Sequence, residues 1–182
     1  MNSLTRKTHP QLLIQEIAPV DRMQKALTAR FLLPAQQAIF NYLYDLRSQM
    51  DSDLKKKYPD RPEKPYPKGR CLEITEAVQQ ELTTRLRRPS VPAERALAAF
   101  QSAGGVVRPI WGALRGVYFQ NAMQMGGLYI DVANDTVTIT KPKVEILPIE
   151  ESGLENIRDL HHYSEIAAKY WGVTAAANHV AP

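Results

Sequence analysis

The spacing of the apolar residues changes at Gly104-Gly105, and that change limits what this chain can fold into. Before the glycine pair, apolar residues recur at steps of three and four, as one buried face of a helix requires. Ile39, Tyr42, Leu43 and Leu46 mark one such stripe, and Ile74, Val78, Leu82 and Leu86 mark a second. After the pair, apolar and polar residues alternate, which is the period of a strand with two different faces. Val117, Phe119 and Met123 alternate with Tyr118, Gln120 and Gln124, and Leu128, Ile130 and Val132 alternate with Tyr129 and Asp131. Helices first, strands second and one last helix argue for an α+β fold, since a parallel βαβ sheet would interleave the two. The expected architecture is a set of N-terminal helices, a small antiparallel sheet packed on a central helix, and a C-terminal helix.

Prolines and glycines set the boundaries. An arm over residues 1–18 carries a short apolar helix, LLIQEIA, which Pro19 stops. Asp21 is the expected N-cap of a helix running to about Leu33. Pro34 starts the next helix, which ends near Lys55. Residues 58–69, YPDRPEKPYPKG, hold four prolines and a glycine in twelve positions, which excludes helix and central strand. Helix resumes from Cys71 to about Arg87 and again from Pro92 to Phe100. Gly126-Gly127 suits a hairpin turn, strands are expected over Thr136–Thr140 and Lys143–Leu147, and a helix from near Leu154 to about Trp171 ends on Gly172 as C-cap. The chain thus divides into a helical N-terminal region (1–57), a Pro-rich connector (58–70), an α+β core (71–172) and a flexible tail (173–182).

The 182 residues suit one domain able to bury a sizeable core. No apolar run approaches a membrane span, and the first residues lack the pattern of a secretory signal. A single cysteine forms no internal disulfide and builds no cysteine-rich zinc site, so a reducing, cytoplasmic setting is expected. The formal charge of +4 is mild, but Lys55, Lys56, Lys57, Arg61, Lys64, Lys68 and Arg70 crowd together. That run reads either as a solvated linker and helix end or as a patch for an anionic partner such as nucleic acid.

The lone cysteine raises the functional question. Cys71 follows a Gly-Arg pair and opens a helix. A thiol there sits near the positive end of the helix dipole, which favours the thiolate, and Lys68 and Arg70 act in the same sense. Equally, Cys71, Ile74, Val78 and Leu82 share one apolar stripe, and a free cysteine is commonly buried. A thiolate enzyme also needs a base and a group that orients the base.

The stretches GRCLEITEAV, YFQNAM and LYIDVAND, in that order, resemble the transglutaminase-like branch of the papain-like cysteine enzymes. The resemblance covers roughly residues 66–135. It implies that Cys71 matches the nucleophile and Asp131 the orienting carboxylate, with the histidine position at or near Asn121. An asparagine does not accept and return a proton at neutral pH as imidazole does. A chain of this kind is either a degenerate relative or one that takes its base elsewhere.

The adjacent His161 and His162 are the candidates for that other base. They do not make a chelating pair, for which the helical spacing is i, i+4. Hairpin register bears on Asn121 as well. A two-residue turn at Gly126-Gly127 pairs Asn121 with Val132 and puts Asn121 and Asp131 on opposite faces. A three-residue loop would set them opposite each other, and a slip of one residue reverses every side chain. The two-residue turn gives the cleaner amphipathic pattern.

Neither common phosphate-loop pattern is present, and no cofactor or metal is expected. The leading expectation is a non-catalytic protein with a cysteine-hydrolase-like α+β core that binds a protein or small-molecule partner. The alternatives are a cysteine-dependent acyl-transfer enzyme, using Cys71, His161 or His162 and Asp131, and a nucleic-acid-associated module using residues 55–70.

Overall fold

The computed structural model describes residues 15–175 of the chain. Asp21 caps α1 (Arg22–Leu27), its Oδ1 accepting from the Gln24 amide at 2.8 Å. The helix continues as one wide π-type turn, Thr28–Leu32, and a 3₁₀ turn, Leu33–Ala35, that contains Pro34. α2 then runs over Gln36–Lys57. Its buried stripe is Ile39, Leu43, Leu46 and Leu54, with Arg47 among them. α3 (Cys71–Arg85) and α4 (Pro92–Ser102) complete the helical half.

Five antiparallel strands follow in the order β4-β3-β2-β1-β5: β1 Val107–Leu114, β2 Tyr118–Met125, β3 Leu128–Asp131, β4 Glu145–Pro148 and β5 Leu154–Glu155. The β2–β3 register pairs Met125 with Leu128 and Met123 with Ile130, so Gly126 and Gly127 alone make the turn. Thr28 fixes that turn, since its hydroxyl accepts from the Gly127 amide at 2.9 Å and donates to the Gln24 carbonyl at 2.7 Å.

α3 lies on the central strand β2. Ile74, Val78 and Leu82 are buried together with Met123, Met125, Leu128 and Ile130, and the Thr75 hydroxyl donates to the Asn121 carbonyl at 3.1 Å. Full burial of each such aliphatic side chain contributes about 1.5–3 kcal/mol. The same sheet face meets α6 (Leu160–Trp171) through Phe119, Ile166 and Ala167, with Trp111, Tyr163 and Trp171 stacked around Phe119.

The opposite sheet face is buried too, although its alternation is polar. Ile110, Leu114, Ala122, Tyr129 and Leu154 form a second cluster beneath it, joined by Ile17 and Ile149. The buried amide of Gln124 accepts from the Ala18 amide at 2.8 Å and donates to the Ala18 carbonyl at 2.9 Å. The N-terminal segment therefore covers this face by pairing its backbone with a side chain. Hydrogen-bonded cover of this kind is what lets polar residues sit inside at low cost.

Two sequence expectations are corrected. Thr136–Thr140 is not a strand; a 3₁₀ turn, Asn134–Thr136, stands there, closed by the Thr136 hydroxyl donating to the Ala133 carbonyl at 2.6 Å. The last helix begins at Leu160 rather than near Leu154, because Leu154 and Glu155 pair with β1 as β5 and Asp159 caps α6. Between β4 and β5 stands a one-turn helix, α5 (Ile149–Ser152). The arm helix expected within residues 12–18 lies largely outside the described residues, and its described part, 15–18, is turn and extended chain. The tail beyond residue 175 is likewise outside them. No helix among the described residues is long and apolar enough to cross a membrane.

The connector is not loose. Beneath it lies Arg47, fully buried, ion-paired with Asp51 and, at 3.6 Å, with Asp135. Its guanidinium stands 5.8 Å from the Tyr66 ring, and the Tyr66 hydroxyl donates to Asp51 at 2.6 Å. Lys143 completes the cluster on Asp51. Gly69, at φ +64°, donates its amide to the Thr136 carbonyl at 2.8 Å, two residues before Cys71. The connector is therefore tied down at Tyr66 and at Gly69, just ahead of α3.

Candidate functional site

Cys71 is the first residue of α3, with its thiol turned toward β2. Asn121 Nδ2 donates to Cys71 Sγ at 3.4 Å. Burial pushes the Cys71 thiol up from its ordinary range. The Asn121 hydrogen bonds and the Leu72 amide oppose that shift, and the Asp131 charge adds to it. The helix N-terminus thus does not win here: desolvation of a thiolate outweighs the dipole and its hydrogen bonds. Arg70 does not offset it, because its guanidinium bonds Glu73 at 2.8 Å and lies over Tyr58 at 5.2 Å. Lys68 is exposed. On α6, the Tyr170 hydroxyl is pushed up to about 12 by burial and by the charges of Cys71 and Tyr118.

The structure brings together Cys71 and Asn121 and holds Asp131, His161 and His162 apart from them. Asp131 lies on the other sheet face and accepts from Gln120 Nε2 at 2.7 Å, the Tyr129 hydroxyl at 2.9 Å and the Ala133 amide at 2.7 Å. Its carboxyl is pushed up to about 6 by burial, against the pull of those three donors. His161 is exposed, 3.3 Å from Glu165. His162 is buried at the start of α6, where its amide bonds the Asp159 cap and its Nδ1 accepts from the Arg158 amide at 3.3 Å. Neither imidazole makes a hydrogen bond or ion pair to Cys71 or Asn121 among the described residues. Among the described residues no group of three His, Cys, Asp or Glu side chains is placed to hold a metal ion.

Beside the Cys71–Asn121 pair a cavity of about 200 Å³ opens along the seam between α3 and the sheet. Its polar lining is Gln15, Thr75, Glu76, Gln79 and Asn121, and Leu72, Pro109 and Ala122 supply apolar wall. A wider groove of about 510 Å³ runs along the sheet edge at β4, lined by Leu33, Phe40, Val144 and Ile146 together with the polar Gln36, Gln37 and Glu145. The cations of residues 55–68 form an exposed margin at the far end of α2, with Lys55 paired to Asp60 and Lys56 to Asp53.

Arg47, Gln120, Gln124 and Tyr170 were not singled out by the sequence reading. Arg47 carried a signal: it lies four residues after Leu43 on the same helical face, so periodicity places it inside. The two glutamines carried none, since alternation assigns them to solvent. No family model, no curated protein and no solved structure matches the chain.

Proposed function

We propose that this chain is a non-catalytic binding protein built on an α+β, cysteine-hydrolase-like core, with the seam between α3 and β2 as its ligand-facing site. One observation carries the reading: an amide, Asn121, and not an imidazole stands 3.4 Å from the Cys71 sulfur. A nucleophilic cysteine needs a neighbour that takes its proton and returns it to the leaving group. An amide does neither. With burial raising its pKa, Cys71 stays a thiol at neutral pH, and Asp131 has no imidazole to orient. What the pair supplies is a half-buried, polarizable wall next to a small cavity of mixed apolar and polar lining.

The test is the pH dependence of Cys71 alkylation in the native protein. On this reading iodoacetamide reacts slowly at pH 7 and accelerates only above the ordinary thiol range of about 8.5. Fast labelling at pH 7 that is lost in His161→Ala or His162→Ala, or a burst of product from an activated ester that needs Cys71, makes the chain an enzyme instead.

A further inference from the structure

The seam cavity has a chemical bias. Its lining is more apolar than polar, and its polar side chains are one carboxylate, Glu76, the Thr75 hydroxyl and the amides of Gln79, Gln15 and Asn121, each amide with an acceptor oxygen. No lysine or arginine lines it. Glu76 takes part in no ion pair among the described residues, whereas its neighbour Glu73 is matched with Arg70. Asn121 sits at the floor, 9% exposed. Its Nδ2 is spent on Cys71 and its backbone carbonyl on Thr75, while its side-chain oxygen has no hydrogen-bond partner among the described residues. That oxygen is not one of the sealed, unpartnered polar atoms of the described residues, so it remains reachable as an acceptor.

The volume is below the roughly 300–1,000 Å³ of sites for drug-sized ligands, so the occupant is a small group or the end of a side chain. The acceptors come from two walls, the helix and the strand, and one is a carboxylate. A planar cation with donors on several edges satisfies both walls at once, because a guanidinium holds five N–H groups in a fixed fork that matches a carboxylate two-pronged. Leu72 and Pro109 line the walls where an alkyl stem would pass.

We infer that this cavity is a binding site for an alkylguanidinium group, carried by a small free guanidino compound or by an arginine side chain. The inference rests on the reading of the α3–β2 seam as a ligand-facing site. Glu76 provides the charge partner at the rim, Asn121 the neutral acceptor at the floor, and Gln79 the acceptor between them on α3. The Cys71 thiol, through Asn121 Nδ2, holds the amide so that its oxygen is left for the ligand.

The experiment titrates the ¹⁵N-labelled full chain with methylguanidinium, Nα-acetyl-arginine amide, n-butylammonium and 1-butanol, following the side-chain amides of Asn121 and Gln79. Saturable shifts with the two guanidinium probes are expected, with n-butylammonium weaker and 1-butanol silent. The tighter of the two guanidinium probes identifies the source. Glu76→Gln, an exposed and near-isosteric change, is expected to weaken guanidinium binding about tenfold or more, or about 1.4 kcal/mol. Equal or tighter binding of n-butylammonium, an unchanged affinity in Glu76→Gln, or no saturable shift of Asn121 overturns the inference. Iodoacetamide labelling of the same sample separates the two readings. Slow labelling with no guanidinium binding removes the inference alone, while fast histidine-dependent labelling removes the non-catalytic reading.

Discussion

The Tyr129 hydroxyl donates to Asp131 Oδ2 at 2.9 Å, and the two side chains lie two residues apart on the sheet face turned away from Cys71. Gln120 Nε2 donates to the same oxygen. Asp131 is fully buried, and burial lifts its carboxyl from 3.8 to about 6. A carboxyl raised on folding contributes stability that is complete below its unfolded value near pH 4 and is lost as pH climbs through about 6. The shift corresponds to roughly 3 kcal/mol at 1.36 kcal/mol per unit. Asp131→Asn removes the titrating group. Urea unfolding of both proteins from pH 4 to pH 7.5 is expected to show the stability difference moving toward the variant by up to about 3 kcal/mol, most of it between pH 4 and 6. Parallel curves for the two proteins would show that Asp131 does not titrate in this window.

Arg47 anchors the connector from below. Removing it leaves Asp135 in a largely buried place with its closest cation gone, and breaking a buried pair in this way costs about 3–5 kcal/mol. Arg47→Met is therefore expected to lower stability by that order at pH 7. Asp135 is already raised by burial, with Arg47 and Lys143 pulling it down. Without Arg47 it rises further, so the loss should shrink as pH falls. The double variant Arg47→Met, Asp135→Asn should recover at least half of it. Limited proteolysis reads the same event locally, with cleavage within 58–69 appearing in Arg47→Met before global unfolding.

Helical stripes and the hairpin were legible because each rests on short-range periodicity. Ile74, Val78 and Leu82 do bury against β2, and the two-residue turn does place Asn121 and Asp131 on opposite faces. What escaped was set by long-range cover. Gln120, Gln124 and Asp131 alternate like solvent-facing residues, yet a segment about a hundred residues away in sequence buries the face they occupy. Likewise Thr136–Thr140 has strand-forming residues, but the Thr136 carbonyl is held by Gly69 and its hydroxyl turns back on Ala133. Cys71 shows the same limit: position at a helix N-terminus argued for a thiolate, and only its burial against β2, with Asn121 beside it, shows that desolvation outweighs the dipole.

The hairpin turn is intolerant of a side chain at one of its two glycines. Gly126 holds φ +58°, and a Cβ there would run into Thr28 Oγ1 and the Phe100 ring. Gly127 leaves ordinary contact distances, 3.5 Å to Val20 and 3.6 Å to Thr28. Gly126→Ala is expected to cost about 1–3 kcal/mol from the left-handed backbone and the clash together. Gly127→Ala should cost clearly less. Thermal denaturation of the two variants checks the order, and equal losses would mean that the turn relaxes around Thr28.

A single substitution on β2 can set an imidazole beside Cys71. Asn121 stands on β2 with its amide 3.4 Å from the sulfur. Asn121→His places an imidazole at this position, and an imidazolium beside a thiol stabilises the thiolate. Burial still opposes the charged form, so the gain is partial. Iodoacetamide labelling of Cys71 at pH 7 is expected to rise about tenfold or more over the native chain, with the pH profile of the rate shifted to lower pH. Asn121→Gln, which keeps an amide, should leave the rate within about a factor of three, a change of roughly 0.7 kcal/mol. Ester hydrolysis should not follow in Asn121→His, because Asp131 is on the far face of the sheet, bonded to Gln120, Tyr129 and Ala133, and cannot orient the new imidazole. Faster labelling without turnover would show that an imidazole at position 121 is enough to favour the thiolate but not to support acyl transfer. An unchanged labelling rate would show that burial, rather than the identity of residue 121, keeps the thiol protonated.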